Sequence, residues 1–177
     1  MKVKLMADIT VGDIKKITKG KLLCGNEYDI CENFCIDSRE IKSGDVFVGI
    51  KGERVNGNEL YEEVLKKGAK CLILENVEIP EDIIKKFTDS AIIIVEDTIK
   101  ALQQIAEYKR NLYKIPVIAI TGSVGKTSTK DIVAEVVSKK YKVLKTQGNL
   151  NNHIGLPLTI LSLKDEEAMV VELGMSH

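Results

Sequence analysis

IPVIAITGSVGKTSTKD, residues 115–131, is the most informative stretch of this sequence. Its apolar run, Val117 to Ile120, predicts a buried strand of a parallel sheet. A glycine-bearing turn follows, and after Lys126 four apolar residues recur on one face of a predicted helix: Ile132, Val133, Val136 and Val137. A strand, a glycine-bearing turn and a helix in this order are typical of a phosphate-binding loop.

The residues of this turn suit the chemistry of binding a nucleotide. Gly122 and Gly125 allow a tight backbone turn whose N–H groups point at phosphate oxygens, and the helix start adds a partial positive charge. Lys126, the predicted catalytic residue, supplies a point charge for the β- and γ-phosphates, and the Thr127 hydroxyl is the expected Mg²⁺ ligand. The predicted nucleotide-binding residues of the loop are Gly122, Ser123, Val124, Gly125, Lys126, Thr127 and Ser128.

The spacing of the loop differs from that of the common phosphate-binding motif. G-x-x-x-x-G-K-[ST] requires glycine at position 120, where Ile120 stands, and Gly122 lies two residues closer to the lysine. A chance Gly-Lys-Thr at an ordinary helix start is the alternative. We favour the phosphate loop because strand, turn and helix all fall where the motif requires them.

Composition limits the classes of partner. The 177 residues suffice for one medium domain or two small ones, and 26 basic side chains balance 26 acidic ones, which indicates neither a nucleic-acid nor a membrane-surface partner. No apolar run is long enough to span a bilayer, and the start lacks the apolar segment of a signal peptide. The spacing of the four cysteines does not fit a zinc site, and it favours reduced thiols in a cytoplasmic protein. A disulfide between two of them is the alternative that the sequence leaves undecided.

The order of elements suggests an α/β protein with two domains, residues 1–96 and 97–177. The first part mixes short strands and helices, as in a small α/β domain. The second alternates strand and helix strictly, which predicts a mostly parallel, doubly wound sheet. Because ligand sites lie at the carboxyl ends of such strands and the chain stops just after one, Met169 to Leu173, we expect a fragment with a truncated second domain.

Three further segments reveal a family resemblance. They are QGNLNNHIGLPLT from Gln147, VELGMSH from Val171, and the spaced set Asp37-Ser38-Arg39, Gly44-Asp45, Phe47-Val48 and Lys51-Gly52. With the shortened loop, they resemble the Mur ligases, ATP-dependent amide-forming enzymes of peptidoglycan precursor synthesis. The first two are similar to the member that adds D-alanyl-D-alanine, and the Thr-Thr-Pro of the tripeptide-forming member is absent. The spaced set resembles the family's uridine-nucleotide-binding N-terminal domain.

The resemblance implies a three-domain, monomeric ligase, of which this chain covers the first domain and the start of the second. The carboxylate of a UDP-MurNAc-peptide would attack the γ-phosphate of ATP, and the amine of D-Ala-D-Ala would displace phosphate from the acyl phosphate. ATP and Mg²⁺ are the implied cofactors. Since the closing domain lies outside the chain, we expect the chain alone to be inactive.

The resemblance also implies roles for single residues. Thr127 and Glu172 would bind Mg²⁺, and Ser38, Arg39 and Lys51 would bind the UDP-sugar. Asn149 and Asn152 are predicted ATP contacts, although the sequence leaves open which of Asn149, Asn151 and Asn152 reaches phosphate, and His177 could serve a second metal. The alternatives without a ligand are that Glu172 is a surface residue at the end of a strand, and that the asparagines and the Ser38-Arg39 pair belong to ordinary solvated turns. The family often has Asp-Gly-His where this chain has Asn56-Gly57-Asn58, so a uracil contact does not transfer directly to Asn58.

Other functions compete with this one. Another Mur ligase step, or a ligase like folylpolyglutamate synthetase, would use the same loop, but the latter is expected to lack the separate N-terminal domain. A kinase or GTPase with a phosphate loop belongs to a different class, and the Asn-Lys-x-Asp that a GTPase uses to read its base is absent. A non-catalytic nucleotide-binding module is the third alternative.

Overall fold

The computed structural model describes residues 8–174, which form two compact units, residues 8–105 and 106–174. Helix α4, Thr98–Leu112, contributes residues to both units. The domain limits 1–96 and 97–177 stay a prediction. Among the described residues, no helix combines the length and the apolar character needed to cross a membrane.

The first unit contains short strands and helices in mixed order, as predicted. Its strands are β1 (Ile9–Thr10), β2 (Lys21–Cys24), β3 (Ile30–Cys31), β4 (Phe34–Cys35), β5 (Val46–Val48), β6 (Cys71–Glu75) and β7 (Ala91–Val95). Its helices are α1 (Val11–Thr18), a 3-10 turn (Gly57–Leu60), α2 (Tyr61–Lys66), α3 (Glu81–Lys86) and the first part of α4.

A five-stranded sheet in the order β2-β7-β6-β5-β4 forms the core of the first unit. Strands β4 to β7 are parallel, and β2 closes the sheet antiparallel to β7. The side chains of β5 are buried on both faces of the sheet, as are those of residues 71–74 of β6. Near-continuous apolar runs of this kind are expected in parallel strands that are covered on both sides.

The second unit alternates strand and helix: β8 (Val117–Ile120), α5 (Lys126–Ser138), β9 (Val143–Lys145), α6 (Gly155–Leu161) and β10 (Ala168–Glu172). The three strands are parallel in the order β8-β10-β9. Met169 and Val171 pack on one face in a cluster that includes residues of α6, while Glu172, on the other face, contacts α5. With helices on both faces, the sheet is doubly wound, which confirms the predicted fold class.

The prediction that β8 is buried is wrong. Val117 and Ile118 are 37% and 38% exposed, because β8 lies at the edge of the sheet and pairs with β10 alone among the described strands. The apolar face of α5 is also only partly packed. Ile132 and Val136 are 65% and 66% exposed, whereas Lys130 and Ala134 are the buried residues of that helix.

Candidate functional site

The predicted phosphate loop joins the end of β8 to the start of α5. Gly122 and Gly125 have φ values of 147° and 76°, in the region that side chains with a Cβ rarely adopt. Gly125 directly precedes α5 and its carbonyl accepts the N–H of Thr129 at 2.9 Å, so the loop runs straight into the helix. Lys126 folds back over this turn, and its Nζ donates to the Gly122 carbonyl at 2.7 Å.

Glu172 is the centre of a polar cluster next to the loop. It ends β10 and is 3% exposed. The Thr127 hydroxyl donates to Glu172 Oε2 at 2.9 Å, and the Asn151 amide donates to Oε1 at 2.8 Å. The structure therefore brings together the two residues predicted as metal ligands, and it excludes a solvated surface position for Glu172.

The cluster favours the ionised form of Glu172. The hydrogen bond from Asn151 has the largest effect in lowering the pKa of Glu172, while burial acts in the opposite direction. The Thr127 hydroxyl and the positive charges of Lys130 and Lys126 lower the pKa further, so that it lies below the usual value. Glu172 is consequently a carboxylate at neutral pH.

The donor set of the cluster fits Mg²⁺. This ion prefers oxygen ligands, and in nucleotide sites it takes one or two from the protein and the rest from phosphates and water. Glu172 and Thr127 supply a carboxylate and a hydroxyl, and the adjacent loop has the backbone of a phosphate site. Among residues 8–174, no group of three or more His, Cys, Asp or Glu side chains is placed to hold a metal.

The three candidate asparagines occupy different places. Asn151 reaches Glu172, and its carbonyl accepts the N–H of Gly174 at 2.7 Å. Asn152 Oδ1 instead accepts the N–H groups of residues 154 and 155, at the start of α6. Asn149 is exposed in a turn. The ATP contacts predicted for Asn149 and Asn152 stay predictions, and Asn151 is the asparagine that lies in the cluster.

Two buried residues of the cluster escaped the sequence analysis. Thr146, fully buried after β9, accepts the N–H of Glu172 on its hydroxyl at 3.0 Å. Lys130, 3% exposed, donates from Nζ to the Thr146 carbonyl at 3.0 Å. Lys130 lies one helical turn beyond Lys126, and this spacing alone could have indicated it.

In the first unit, the predicted substrate-binding residues follow the carboxyl ends of parallel strands. Ser38 and Arg39 come after β4, and Lys51 comes after β5, where α/β sheets bind their ligands. Arg39 is exposed and pairs with Asp37, Nη2 to Oδ2 at 2.5 Å, and its hydrogen bonds lower the pKa of Asp37 to about 2. Lys51 is exposed at the base of a loop, opposite Asn56.

Ser38 and Asn58 already have partners within the first unit. Ser38 is buried, and its carbonyl accepts Lys67 Nζ at 2.7 Å. The pKa of Glu63 is lowered mainly by its hydrogen-bonded ion pair with Lys67, and a hydrogen bond with the Ser38 side chain lowers it further. Asn58 is 2% exposed and its Oδ1 accepts the N–H of Glu75 at 2.9 Å. Asn58 therefore joins the loop after β5 to the end of β6, which accounts for an amide at this position.

The predicted second-metal role of His177 lies outside the described residues.

Comparison with known proteins places these observations in a family. The model of the Mur ligase family catalytic domain matches residues 32–110, and that of the Mur ligase middle domain matches residues 120–177. The UDP-N-acetylmuramoyl-tripeptide–D-alanyl-D-alanine ligase of Bacillus subtilis is 37% identical over 170 residues, which are 94% of this chain and 36% of that protein.

Solved structures give the same result. The crystal structure of MurF from Acinetobacter baumannii matches with a TM-score of 0.83 and 32% identity, over 97% of this chain and 37% of that one. MurF from Thermotoga maritima, in complex with ADP, matches with a TM-score of 0.72 and 37% identity, over 82% of this chain and 33% of that one. The chain thus spans about a third of the length of these relatives. From the two matched domains and the shared fold we conclude that this chain belongs to the Mur ligase family.

Proposed function

We propose that this chain contributes the UDP-sugar site and most of the phosphate site to an ATP-dependent ligase that joins D-Ala-D-Ala to UDP-MurNAc-tripeptide. The relatives that match most of the chain are named for this reaction. The observation that carries the proposal is the meeting of Lys126, Thr127 and Glu172 at one end of the second sheet, where this reaction needs a nucleotide.

The proposed chemistry proceeds in two steps. A substrate carboxylate oxygen attacks the γ-phosphorus of ATP, the bond to the β–γ bridging oxygen breaks, and ADP leaves. The amine of D-Ala-D-Ala then attacks the acyl carbon and displaces phosphate. Phosphoryl transfer depends mainly on positioning and charge neutralisation, so the protein groups act by holding the phosphates in line.

The loop, Glu172 and Asn151 have the following places in this scheme. The backbone N–H groups of residues 122–128 would hold the phosphates, and Lys126 would leave the Gly122 carbonyl to neutralise the β- and γ-phosphates. Thr127 and Glu172 would hold Mg²⁺, which neutralises developing negative charge on the phosphates. Asn151 keeps the Glu172 carboxylate oriented.

The first unit would hold the UDP-sugar. Arg39 and Lys51 are exposed cations at neighbouring strand ends, and Arg39 offers a planar group that can bind a diphosphate through two N–H donors. Ser38 would bind the UDP-sugar through its backbone, or through its hydroxyl once the hydrogen bond between this side chain and Glu63 is broken.

The location and the oligomeric state of the protein are also proposals. The four cysteines are free thiols, which supports a cytoplasmic location. We further propose that the ligase is a monomer.

A hybrid ligase tests the proposal. Residues 1–177 replace the matched third of the Bacillus subtilis relative, and product, ADP and phosphate are measured with UDP-MurNAc-tripeptide, D-Ala-D-Ala and MgATP. We expect one ADP for each ligated product and no turnover when either substrate is omitted. A folded hybrid that binds MgADP but forms no product from this pair of substrates would contradict the proposal.

A further inference from the structure

Lys130 is a buried cation for which the phosphate-binding motif gives no reason. It lies on α5, one turn beyond Lys126, and only 3% of it is exposed. Its Nζ lies 3.0 Å from the Thr146 carbonyl and 3.5 Å from Asp131 Oδ1. The Asp131 carboxylate makes a shorter contact with Lys145, at 2.8 Å. Among the described residues, Lys130 therefore has one hydrogen bond of normal length, and it shares a more distant counter-ion with Lys145.

The contact with Thr146 changes how two strands pair. Thr146 N–H donates to the Val170 carbonyl at 3.2 Å, as in an ordinary parallel ladder. The next bond of such a ladder would run from Glu172 N–H to the Thr146 carbonyl. That carbonyl instead accepts Lys130 Nζ, and Glu172 N–H donates to the Thr146 hydroxyl at 3.0 Å. The ladder between β9 and β10 thus ends at the residue that carries the carboxylate, where Lys130 occupies the carbonyl that the next bond would use.

The stability of the fold does not explain this lysine. Burying an ammonium group is costly unless its donors are well paired, and an apolar side chain of similar volume is often at least as stabilising. Ala134, one turn further along α5, shows that the same face of the helix packs on the sheet with an apolar residue. A reason for the charge at position 130 must therefore lie in what it contacts.

We propose that Lys130 is a positioning residue for the candidate Mg²⁺–nucleotide site: by binding the Thr146 carbonyl it ends the strand ladder and sets the backbone of Glu172. The segment that follows Thr146 brings Asn151 to the same carboxylate. Lys130 thereby influences Glu172 in two ways. Through Thr146 it fixes the Glu172 N–H, and through the segment that follows Thr146 it fixes Asn151, which binds the Glu172 carboxylate. The positive charge of Lys130 also helps to lower the pKa of Glu172. The Mg²⁺ part of this inference rests on the proposed function.

The first test needs no nucleotide. Hydrogen exchange of the Glu172 and Gly174 amides is measured by NMR on the 177-residue chain, together with the side-chain amide resonances of Asn151. In Lys130→Met we expect the exchange rates of both amides to rise about tenfold more than those of the other amides of the second unit, and the Asn151 side-chain resonances to shift. Unchanged exchange and unchanged resonances would overturn the inference.

Lys109→Met is the matched control. Lys109 is also a buried lysine of the second unit, 7% exposed, and its Nζ donates to the Leu161 carbonyl at 2.7 Å, at the end of α6. We expect this variant to lose stability without selective loss of protection at Glu172 and Gly174. If Lys130→Met fails to fold, a measurement on the wild-type chain still tests the inference. Its Lys130 ammonium should be slowly exchanging and scalar-coupled to the Thr146 carbonyl, and a rapidly exchanging ammonium would overturn the inference.

The second test separates this inference from the proposed function. Binding of ADP is titrated with Mg²⁺ and with a chelator, in the wild-type hybrid and in its Lys130→Met and Lys109→Met variants. We expect Lys130→Met to reduce the gain in affinity that Mg²⁺ provides by about tenfold, and Lys109→Met to leave it unchanged. A wild-type hybrid that does not bind MgADP contradicts the proposed function, whatever the exchange data show. A Lys130→Met hybrid with the full gain contradicts the inference alone.

Discussion

The two sheets of this chain use their buried positions differently. In the first unit, β5 and most of β6 place apolar side chains on both faces, and the buried polar groups of that unit, such as Asn58 and Ser90, lie outside the strands. In the second unit, two charged residues, Lys130 and Glu172, are each only 3% exposed, while apolar residues of β8 and α5 are exposed.

The burial in the first sheet mainly stabilises the fold, whereas the buried charges of the second sheet form the candidate site. Apolar burial in the first unit needs no partner and contributes about 25 cal/mol per Å². The charges of the second unit are costly to bury. The Glu172 carboxylate accepts hydrogen bonds from Thr127 and Asn151, and the Lys130 ammonium donates to the Thr146 carbonyl. We infer that mutations in the first sheet act mainly on stability, and that mutations around Glu172 act mainly on function.

The largest effect is expected in the core of the first sheet. Leu72, fully buried in β6, packs in a cluster with Phe47 and Ile92, so Leu72→Ala should lower the free energy of unfolding by about 2–5 kcal/mol. Ile118→Ala, in the exposed edge strand β8, should cost about 1 kcal/mol or less. Urea unfolding of both variants measures the contrast, and equal losses would show that the two sheets do not differ.

A loss of catalysis without a comparable loss of stability is expected at the phosphate loop. In the hybrid ligase, Lys126→Ala removes a charge that would stabilise the transferring phosphoryl group, and we expect kcat to fall by about 10²–10³-fold. Lys139→Ala, at the exposed end of α5, is the control and should keep its activity. Near-normal turnover in Lys126→Ala would refute the assignment of the loop.

A smaller effect is expected at the strand ends of the first unit. Arg39→Ala should weaken binding of UDP-MurNAc-tripeptide to the 177-residue chain by about tenfold in calorimetry, a loss of about 1.4 kcal/mol. The pKa of Asp37, about 2 beside Arg39, should rise towards its ordinary value in the same variant. Lys85→Ala, on the exposed face of α3, serves as the control. Equal affinities of Arg39→Ala and wild type would remove Arg39 from the site.

The buried carboxylate of the second unit should give stability a dependence on pH. The pKa of Glu172 is lowered in the folded state, so its ionised form stabilises the unit above the pKa of the unfolded chain, about 4.3. This contribution is lost as the pH falls through the lower pKa of the folded state. Unfolding of Glu172→Gln, measured across this acid range, should lack that part of the dependence. Glu135→Gln, an exposed residue of α5, should retain it.

The smallest effect is expected on the exposed face of α5. Val136 is 66% exposed, so Val136→Lys should change the free energy of unfolding by only about 0.5 kcal/mol and should raise the solubility of the chain. Ala134→Lys places the same charge two residues away, where 4% of the side chain is exposed, and should destabilise the unit clearly. Similar stabilities of the two variants would mean that α5 is packed differently from this description.

Much of the fold could be predicted from local patterns. The apolar runs at residues 117–120 and 169–173, and the alternation of strand and helix between them, correctly predicted a parallel, doubly wound sheet. The two short strands β1 and β3 have two residues each, too few to produce a recognisable alternation. The burial of β8 was predicted wrongly because an apolar run shows that a strand can be buried, but not whether a neighbour covers it.

The candidate site was predictable only in part. Gly122, Gly125, Lys126 and Thr127 are close in sequence, and the roles proposed for them follow from the turn that joins a strand to a helix. Asn151 could not be distinguished from Asn149 and Asn152, since all three lie in one loop. Gly155 shows how the loop is folded back, because a Cβ there would lie 2.4 Å from the Cα of Leu150.

By itself, therefore, the sequence determined the longer elements of the second unit, the proposed phosphate loop and the family, because each depends on residues within one strand, one helix, one turn or one motif. The tertiary structure decided which polar side chains share a carboxylate. Thr127 and Glu172 are 45 positions apart, and Lys130 and Thr146 are 16 apart, yet both pairs are in hydrogen-bond contact. Hydrogen bonds act over about 3 Å, so only the packing of α5 on β9 and β10 could bring these donors and acceptors together.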